Sequence, residues 1–224
     1  MNDQGILLVA YGPQKYHDEL EVCKARIEQV WPDVAIHVVQ SDKESHPKML
    51  ARIEAMLKCP FKRTMFMDTD CYQVEPVPEL FDLLDRFDLA VPHAVYREVY
   101  PVDVPAAFIE HSPGLMVWER NRVTWDLLAD WKRRFLRDHK TRSDERKVSW
   151  FPSQPSFREA LYYSKARFCV LPTEYHWTGI GYVQGPVKLV HKRPNASGEA
   201  ERINKDAGQQ RVAIIWDEPV VMEW

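Results

Sequence analysis

The sequence lacks several features that mark whole classes of protein. Its four cysteines, Cys23, Cys59, Cys71 and Cys169, form no Cys-x-x-Cys pair, so reduced thiols are expected rather than a zinc motif, a redox motif or a disulfide framework. The formal net charge of -3 gives no basic field for general nucleic-acid binding. No internal repeat or low-complexity segment is present. What remains is a chain of 224 residues, enough for one domain with a proper core.

Long hydrophobic runs are also missing. No stretch approaches the roughly 20 apolar residues of a membrane span, so no transmembrane segment is expected. Residues 1–5 lack the charged and apolar regions of a secretory signal. The sequence therefore predicts a soluble, cytoplasmic protein.

The first 70 residues alternate between strand and helix patterns. Short apolar runs at 6–9, 34–39 and 64–67 are typical of buried strands. Between them, apolar residues recur at helical spacing in 15–30 and 45–57. This order predicts an α/β fold with a parallel sheet and right-handed crossovers.

The second half of the chain is less regular. Its patterns predict helices at 79–87, 121–137 and 154–164, and strands at 89–91, 114–118, 168–171 and 187–190. The charge-dense stretch 138–147 has no apolar anchor and is expected to be an exposed loop. Segment 96–108 is expected to be irregular and near the site, 192–210 a polar linker, and 212–216 an added edge strand.

Two aspartates follow the apolar strand 64–67. Residues at i and i+2 of a strand share a face, so Asp68 and Asp70 are expected to reach one bound ion. Mg²⁺ is usually held by one or two carboxylates together with substrate phosphates. Pro78 then opens a helix, which places the acidic turn at the carboxyl edge of the sheet, where open α/β sheets bind ligands. This pattern favours a metal-dependent phosphate site, although Asp-x-Asp also occurs as a simple turn cap.

Residues 65–84, with Met-Phe-Met-Asp-Thr-Asp followed by Pro-Glu-Leu-Phe, resemble glycosyltransferases of the GT-A fold, especially glycogenin-like and bacterial lipopolysaccharide enzymes. Residues 112–117 are similar to the family's Asn-Ser-Gly-Val-Met strand, with Pro113 where a small residue is usual. Residues 153–155 are similar to its Asp-Gln-Pro, with serine replacing aspartate. Residues 187–191 are similar to a late strand ending in a metal-binding histidine. The resemblance implies a Rossmann-like, mostly parallel sheet flanked by helices.

The resemblance also implies an activity: hexosyl transfer from a nucleotide-diphosphate sugar, with uridine the expected nucleotide. The acceptor would be an unknown glycan, lipid-linked or protein molecule, and a lipid-linked acceptor could bring the protein to a membrane surface. Mn²⁺ or Mg²⁺ would lie between Asp68, Asp70 and His191, and the imidazole favours Mn²⁺ because nitrogen ligands suit transition metals. Without the resemblance, a lone histidine after a strand is usually structural.

Eight residues are expected to contact the nucleotide sugar, namely Tyr11, Gly12, Asp42, Arg52, Asp68, Thr69, Lys192 and Arg193. Several of them have ordinary alternatives, because strand ends are rich in turn residues and a helical arginine is often only solvated. Residues 1–92 are expected to form the nucleotide-sugar half of a single domain, 93–193 the acceptor half, and 194–224 a C-terminal extension. The aromatic stretch 175–177 could stack on sugar rings.

Gln154 matches the retaining members of the family and is expected near the anomeric carbon. If the enzyme inverts, Asp103, Glu110 and Glu174 are the possible general bases. Two other functions stay open. A haloacid dehalogenase-like phosphatase also begins with Asp-x-Asp after a strand, but its later acidic motifs are missing here. A noncatalytic nucleotide or carbohydrate-binding module is the second alternative, because fold does not prove activity.

Overall fold

The computed structural model describes residues 3–43, 49–94, 103–146, 153–191, 195–205 and 211–214. The strands are β1 (Gln4–Tyr11), β2 (Ile36–Ser41), β3 (Arg63–Met67), β4 (Cys71–Gln73), β5 (Leu89–Pro92), β6 (Leu115–Glu119), β7 (Phe168–Leu171), β8 (Ile180–Val183), β9 (Leu189–His191) and β10 (Arg211–Ile214). The helices are α1 (Gln14–Val30), α2 (Leu50–Lys58), α3 (Glu79–Asp82), α4 (Arg122–Arg146), α5 (Gln154–Tyr163) and α6 (Ala196–Asn204). None of these helices is long and apolar enough to cross a bilayer.

A six-stranded sheet in the order β2-β1-β3-β6-β5-β7 forms the centre of the molecule. Strand β1 pairs parallel with β2 and β3, and β5 pairs parallel with β7. Strand β6 is antiparallel to both β3 and β5. The five other strands therefore share one direction, and their carboxyl ends meet at one edge. This mixed, mostly parallel sheet confirms the predicted α/β class.

Apolar side chains cover both faces of the sheet. Ile6 and Leu8 of β1 point into one layer, where Leu20 of α1 packs. Leu7 points into the other layer, which contains Trp131 of α4. Alternation across a strand buried on both sides is typical of parallel sheets enclosed by helices. The strand and helix patterns of the first 70 residues are therefore explained by this two-sided core.

The prediction of an exposed loop over 138–147 was wrong, because α4 continues to Arg146. The stretch contains neither glycine nor proline, and Lys, Arg and Glu are good helix formers. Tertiary ion pairs also support it, since Arg137 Nη2 lies 2.6 Å from Glu159 Oε2 of α5. Asp138 is 2% exposed beside the same arginine. The prediction of a solvated loop relied on charge density alone. In the structure the stretch is helical, and charged side chains at its start form ion pairs.

The sequence also missed elements near the C-terminus. The predicted linker 192–210 contains α6, whose Ala200 and Ile203 pack with Trp177 and Val190. The strand expected at 187–190 is β9, and strands β4 and β8 were not predicted. Strand β10 pairs with β8 in a separate two-stranded sheet.

The helix expected at 79–87 is α3 followed by a 3₁₀ turn, Leu83–Asp85. Of the irregular segment 96–108, residues 96–102 lie outside the described ranges.

Candidate functional site

The acidic motif lies in a turn rather than on a strand. Strand β3 ends at Met67, and the backbone N–H of Cys71 donates to the carbonyl oxygen of Asp68 at 3.1 Å, which closes a four-residue turn. The expectation that Asp68 and Asp70 share a strand face was therefore wrong. The turn still holds both carboxylates at the carboxyl edge of the sheet, near His191.

His191 completes a cluster with the two aspartates. Its Nε2 atom lies 3.1 Å from Asp70 Oδ1 and 3.7 Å from Asp68 Oδ2. The residue is 4% exposed, and neither ring nitrogen makes a hydrogen bond of good geometry within the described residues. Buried polar atoms are normally paired. An unpaired imidazole nitrogen aimed at two carboxylates fits a divalent cation site, so the predicted ligand set is compatible with this geometry.

Gly114 keeps space open beside this cluster. Its carbonyl oxygen accepts a hydrogen bond of 2.8 Å from the backbone N–H of Asp68. A Cβ atom at this position would lie 2.8 Å from Asp68 Oδ2 and 3.0 Å from His191 Cε1. Real Cβ atoms essentially never approach other atoms as closely as the first of these contacts, so a side chain here would displace the carboxylate. The absence of a side chain at 114 thus preserves the shape of the site.

The electrostatic potential around the cluster of Asp68, Asp70 and His191 is negative, as the pKa values of two neighbouring acidic groups show. Burial, together with the nearby carboxylates of Asp70 and Asp68, raises the pKa of Cys23 to about 12. Burial and Asp70 also raise the pKa of Glu19. Both residues belong to α1, which therefore lies within the field of the acidic turn. Such a field attracts a cation.

Arg52 joins the acidic turn to the start of α5. Its side chain comes from α2, and its Nη1 atom donates to Asp68 Oδ1 at 3.0 Å. Its Nη2 atom donates to Ser153 Oγ at 2.7 Å. The guanidinium carbon lies 5.7 Å and 5.8 Å from the ring centroids of Phe66 and Trp131. The arginine expected to contact the donor is thus buried and fixed against the first aspartate of the motif.

Gln154 is the first residue of α5 and follows Ser153 directly. The contact between Arg52 and Ser153 therefore brings the start of this helix close to Asp68. Ser153 stands where the resembling enzymes have aspartate, so the guanidinium meets a neutral acceptor here. Gln154 thus lies one residue beyond the serine that shares Arg52 with Asp68.

Tyr11 and Gly12 lie at the end of β1, and Asp42 follows β2. Gly12 has φ of 83°, a conformation that favours glycine, and its N–H donates to Ser41 O at 3.0 Å. The side chain of Asp42 is fully exposed. These three residues occupy the same sheet edge as the acidic turn, on the β2 side.

Thr69 is half-buried within the acidic turn, between the two aspartates. Lys192 and Arg193 lie outside the described residues.

The three possible general bases for an inverting reaction have different surroundings. Glu174 accepts the backbone N–H of Gly185 at 3.0 Å, and the carboxylate of Asp103 lies 3.2 Å from the Tyr163 hydroxyl. Glu110 is 3% exposed.

A cavity of about 270 Å³ lies at the carboxyl ends of β5 and β7. Its walls include His93, Leu171, Thr173, His176, Ile180 and Tyr182. The ring of His176 packs against that of His191 at a centroid distance of 4.5 Å, so the cavity adjoins the acidic cluster. Of the aromatic stretch 175–177, His176 lines the cavity, whereas Trp177 is 0% exposed in the core.

Sequence reasoning missed three residues of the site. Cys71 was expected to be only a reduced core or surface thiol, yet its sulfur belongs to a group with Asp70 and His191 whose ligand atoms all lie within 4.8 Å of one another. The clash that a side chain at Gly114 would cause and the acceptor role of Ser153 were also missed. The direct succession Asp70-Cys71 was the one local signal available. The other two contacts depend on distant segments of the chain.

No protein-family model and no curated protein sequence matches the chain. Several solved structures do. The galactosyltransferase LgtC, in complex with donor and acceptor sugar analogues, has a TM-score of 0.54 at 14% identity, covering 89% of this chain and 94% of that one. A glycosyltransferase involved in glycosylation of the major capsid of PBCV-1 gives 0.52 at 12% identity, with 90% and 98% covered. Mouse xyloside xylosyltransferase 1 gives 0.51 at 13% identity, with 86% and 99% covered. The fold is that of GT-A glycosyltransferases.

Proposed function

We propose that this protein is a metal-dependent glycosyltransferase that moves a hexose from a nucleotide-diphosphate sugar, with UDP-sugar as the donor class. One observation supports this above all. Asp68, Asp70 and His191 converge at the carboxyl edge of a GT-A sheet, and the buried nitrogens of His191 make no good hydrogen bond in the described structure. This is the edge at which open α/β sheets bind ligands.

The cation would be held by Asp70 and His191, with Asp68 beside them. Mn²⁺ suits this set better than Mg²⁺ because one ligand is a nitrogen. When bound, a divalent cation neutralises the negative charge that develops on the diphosphate leaving group. Arg52 holds the Asp68 carboxylate in place and lowers the local negative charge.

The two substrates would approach from opposite sides of His191. Tyr11, Gly12 and Asp42, at the β1 and β2 ends, would bind the nucleotide base, within a nucleotide-sugar half formed by residues 1–92. The cavity at the β5 and β7 ends would bind the acceptor, within a half formed by residues 93–193, with 194–224 as an extension. Thr69 lies in the turn between these two sides.

Lys192 and Arg193 follow the proposed metal ligand directly in sequence. We assign them to the diphosphate oxygens, because arginine binds such oxygens in bidentate geometry and lysine acts as a point charge. Both residues are cationic, so they would balance the charge of a diphosphate next to two aspartates.

Transfer is proposed to retain the configuration of the donor, with Gln154 near the anomeric carbon. The position of Gln154 supports this, since Ser153 binds the same arginine as Asp68. Of the bases considered for inversion, Glu174 already accepts a backbone N–H from Gly185. Proton NMR of the product from an α-linked donor tests this point: an α linkage is expected, and a β linkage would contradict retention.

The experiment that tests the proposed function is calorimetric titration of UDP with and without Mn²⁺. It compares the wild type with Asp70→Ala and with the matched control Asp33→Ala. Asp33 is exposed and lies before β2, away from the acidic turn. We expect Mn²⁺-dependent binding in the wild type and in the control, and its loss in Asp70→Ala. Failure of UDP and other nucleoside diphosphates to bind with Mn²⁺ present would contradict the proposal.

The same experiment bears on the two alternatives. A noncatalytic binding module would bind UDP with Mn²⁺ but neither transfer sugar nor slowly hydrolyse the donor. The phosphatase alternative is disfavoured by the GT-A fold. It would regain support only through burst release of phosphate from a phosphomonoester that is lost in Asp68→Asn.

A further inference from the structure

Cys71 lies directly opposite His191 in the two-stranded sheet of β4 and β9. The two residues are register partners in this antiparallel pair. Side chains of directly opposed residues point to the same face of a sheet, with Cβ atoms about 4.5–5.5 Å apart. The sheet pairing therefore delivers the thiol to the same side as the imidazole. Cys71 is a buried cysteine, 6% exposed.

Three different donor atoms meet at this point. The sulfur of Cys71, a ring nitrogen of His191 and a carboxylate oxygen of Asp70 all lie within 4.8 Å of one another. His191 is 4% exposed, and within the described structure its Nε2 atom has no well-directed hydrogen bond although it lies 3.1 Å from Asp70 Oδ1. The side chain of Asp70 is 33% exposed, so it is the most exposed of the three residues.

We propose that Cys71 is a third protein ligand of this site, which thereby binds a thiophilic divalent cation of the Zn²⁺ or Co²⁺ class through Asp70, Cys71 and His191. Thiolate and imidazole ligands select such ions, whereas Mg²⁺ prefers oxygen. Three protein ligands with one open position is the arrangement of catalytic zinc sites.

This ligand set has a consequence for affinity. Mg²⁺ is usually bound by one or two carboxylates plus substrate phosphates, so its binding depends on the nucleotide. An Asp–Cys–His set needs no phosphate, so Zn²⁺ and Co²⁺ should bind to the protein alone. The inference shares the cation site with the proposed function, but it does not rest on sugar transfer.

The test is a titration of the 224-residue chain with Co²⁺ in the absence of nucleotide, followed by absorption spectroscopy. A near-ultraviolet thiolate-to-cobalt charge-transfer band is expected at one equivalent. Cys71→Ser should abolish the band and weaken Co²⁺ binding by about tenfold or more, since even supporting groups of a metal site contribute 10–100-fold. The matched control is Cys169→Ser, a half-buried thiol on β7, which should leave the band unchanged.

X-ray absorption spectroscopy of the Zn²⁺-loaded wild type provides a test that does not depend on whether a variant folds. One sulfur scatterer at about 2.3 Å supports the proposal, and a shell of nitrogen and oxygen alone overturns it. A charge-transfer band that persists in Cys71→Ser would also overturn it. The two proposals fail separately, because a sulfur ligand without Mn²⁺-dependent UDP binding refutes only the glycosyltransferase. Mn²⁺-dependent UDP binding without a sulfur ligand refutes only the role of Cys71.

Discussion

Arg52 Nη1 lies 3.0 Å from Asp68 Oδ1, so the first aspartate of the motif is held by a buried arginine. The Arg52 side chain is 9% exposed and that of Asp68 23% exposed. The same guanidinium also binds Ser153, at the start of α5. One planar group thus ties together α2, the acidic turn and the helix that carries the expected catalytic glutamine. This link should contribute both to stability and to the alignment of the site.

Arg52→Ala should lower the free energy of unfolding by about 2 kcal/mol, because hydrogen bonds to charged groups contribute about 1.5–3 kcal/mol. It should also weaken Mn²⁺-dependent UDP binding, since Asp68 loses the group that positions it. Ser153→Ala removes only one neutral acceptor and should cost about 1 kcal/mol. Urea denaturation and calorimetric titration measure the two effects. Equal losses in both variants would contradict the view that the contact with Asp68 is the stronger one.

Gly114→Ala should damage the cation site while leaving the fold intact. The new Cβ would lie 2.8 Å from Asp68 Oδ2 and 3.0 Å from His191 Cε1, so carboxylate and imidazole would have to separate. We expect the affinity for Mn²⁺ with UDP to fall by about tenfold, which corresponds to about 1.4 kcal/mol. Calorimetric titration provides the measurement.

Gly185→Ala is the matched control for this substitution, because a Cβ there meets no atom within 4 Å. It should bind Mn²⁺ and UDP as the wild type does. If both alanine variants lost affinity equally, the close contact at Gly114 would not be the cause. Thermal denaturation of both variants would show whether the loss reflects the site or the fold.

The first half of the fold could be predicted because its signals are local. The strand ending at Met67 and the helical spacing of Leu20, Cys23 and Ile27 are both visible in short windows of sequence. The pairing of Cys71 with His191 was not predictable in this way, since 120 positions separate them and register depends on the assembled sheet. Ser153 and Arg52, 101 positions apart, meet for the same nonlocal reason.

The continuation of α4 beyond Arg137 depends on Glu159, whose side chain is 5% exposed. Glu159→Gln should destabilise the protein by about 2 kcal/mol, because it removes the buried carboxylate that Arg134, 12% exposed, and Arg137, 45% exposed, share, and hydrogen bonds to charged groups contribute about 1.5–3 kcal/mol. Urea denaturation measures the change. The matched control is Glu28→Gln on α1, whose side chain is 53% exposed and which should cost less than about 0.5 kcal/mol. A similar small loss in both variants would show that the buried pairs do not stabilise α4.

His111 is a buried histidine remote in sequence from the acidic turn. It is 1% exposed, and its ring centroid lies 5.2 Å from that of Phe168. Neither ring nitrogen makes a hydrogen bond within the described ranges. Burial, assisted by the charges of His93 and Arg158, lowers the pKa of His111 to about 4. The folded protein therefore resists protonation of this ring.

An unfolded histidine has a pKa of about 6.5, so below that value the unfolded state binds more protons than the folded state. The contribution of His111 should leave stability unchanged above about pH 7 and reduce it as the pH falls from about 6.5 to about 4. Between about pH 7 and about pH 5 the loss should be about 2 kcal/mol, at 1.36 kcal/mol for each pH unit below 6.5. His111→Asn cannot titrate and should lack this part of the acid sensitivity. Urea denaturation of both proteins at the two pH values measures the difference. Parallel losses would show that His111 is protonated as easily in the folded as in the unfolded chain.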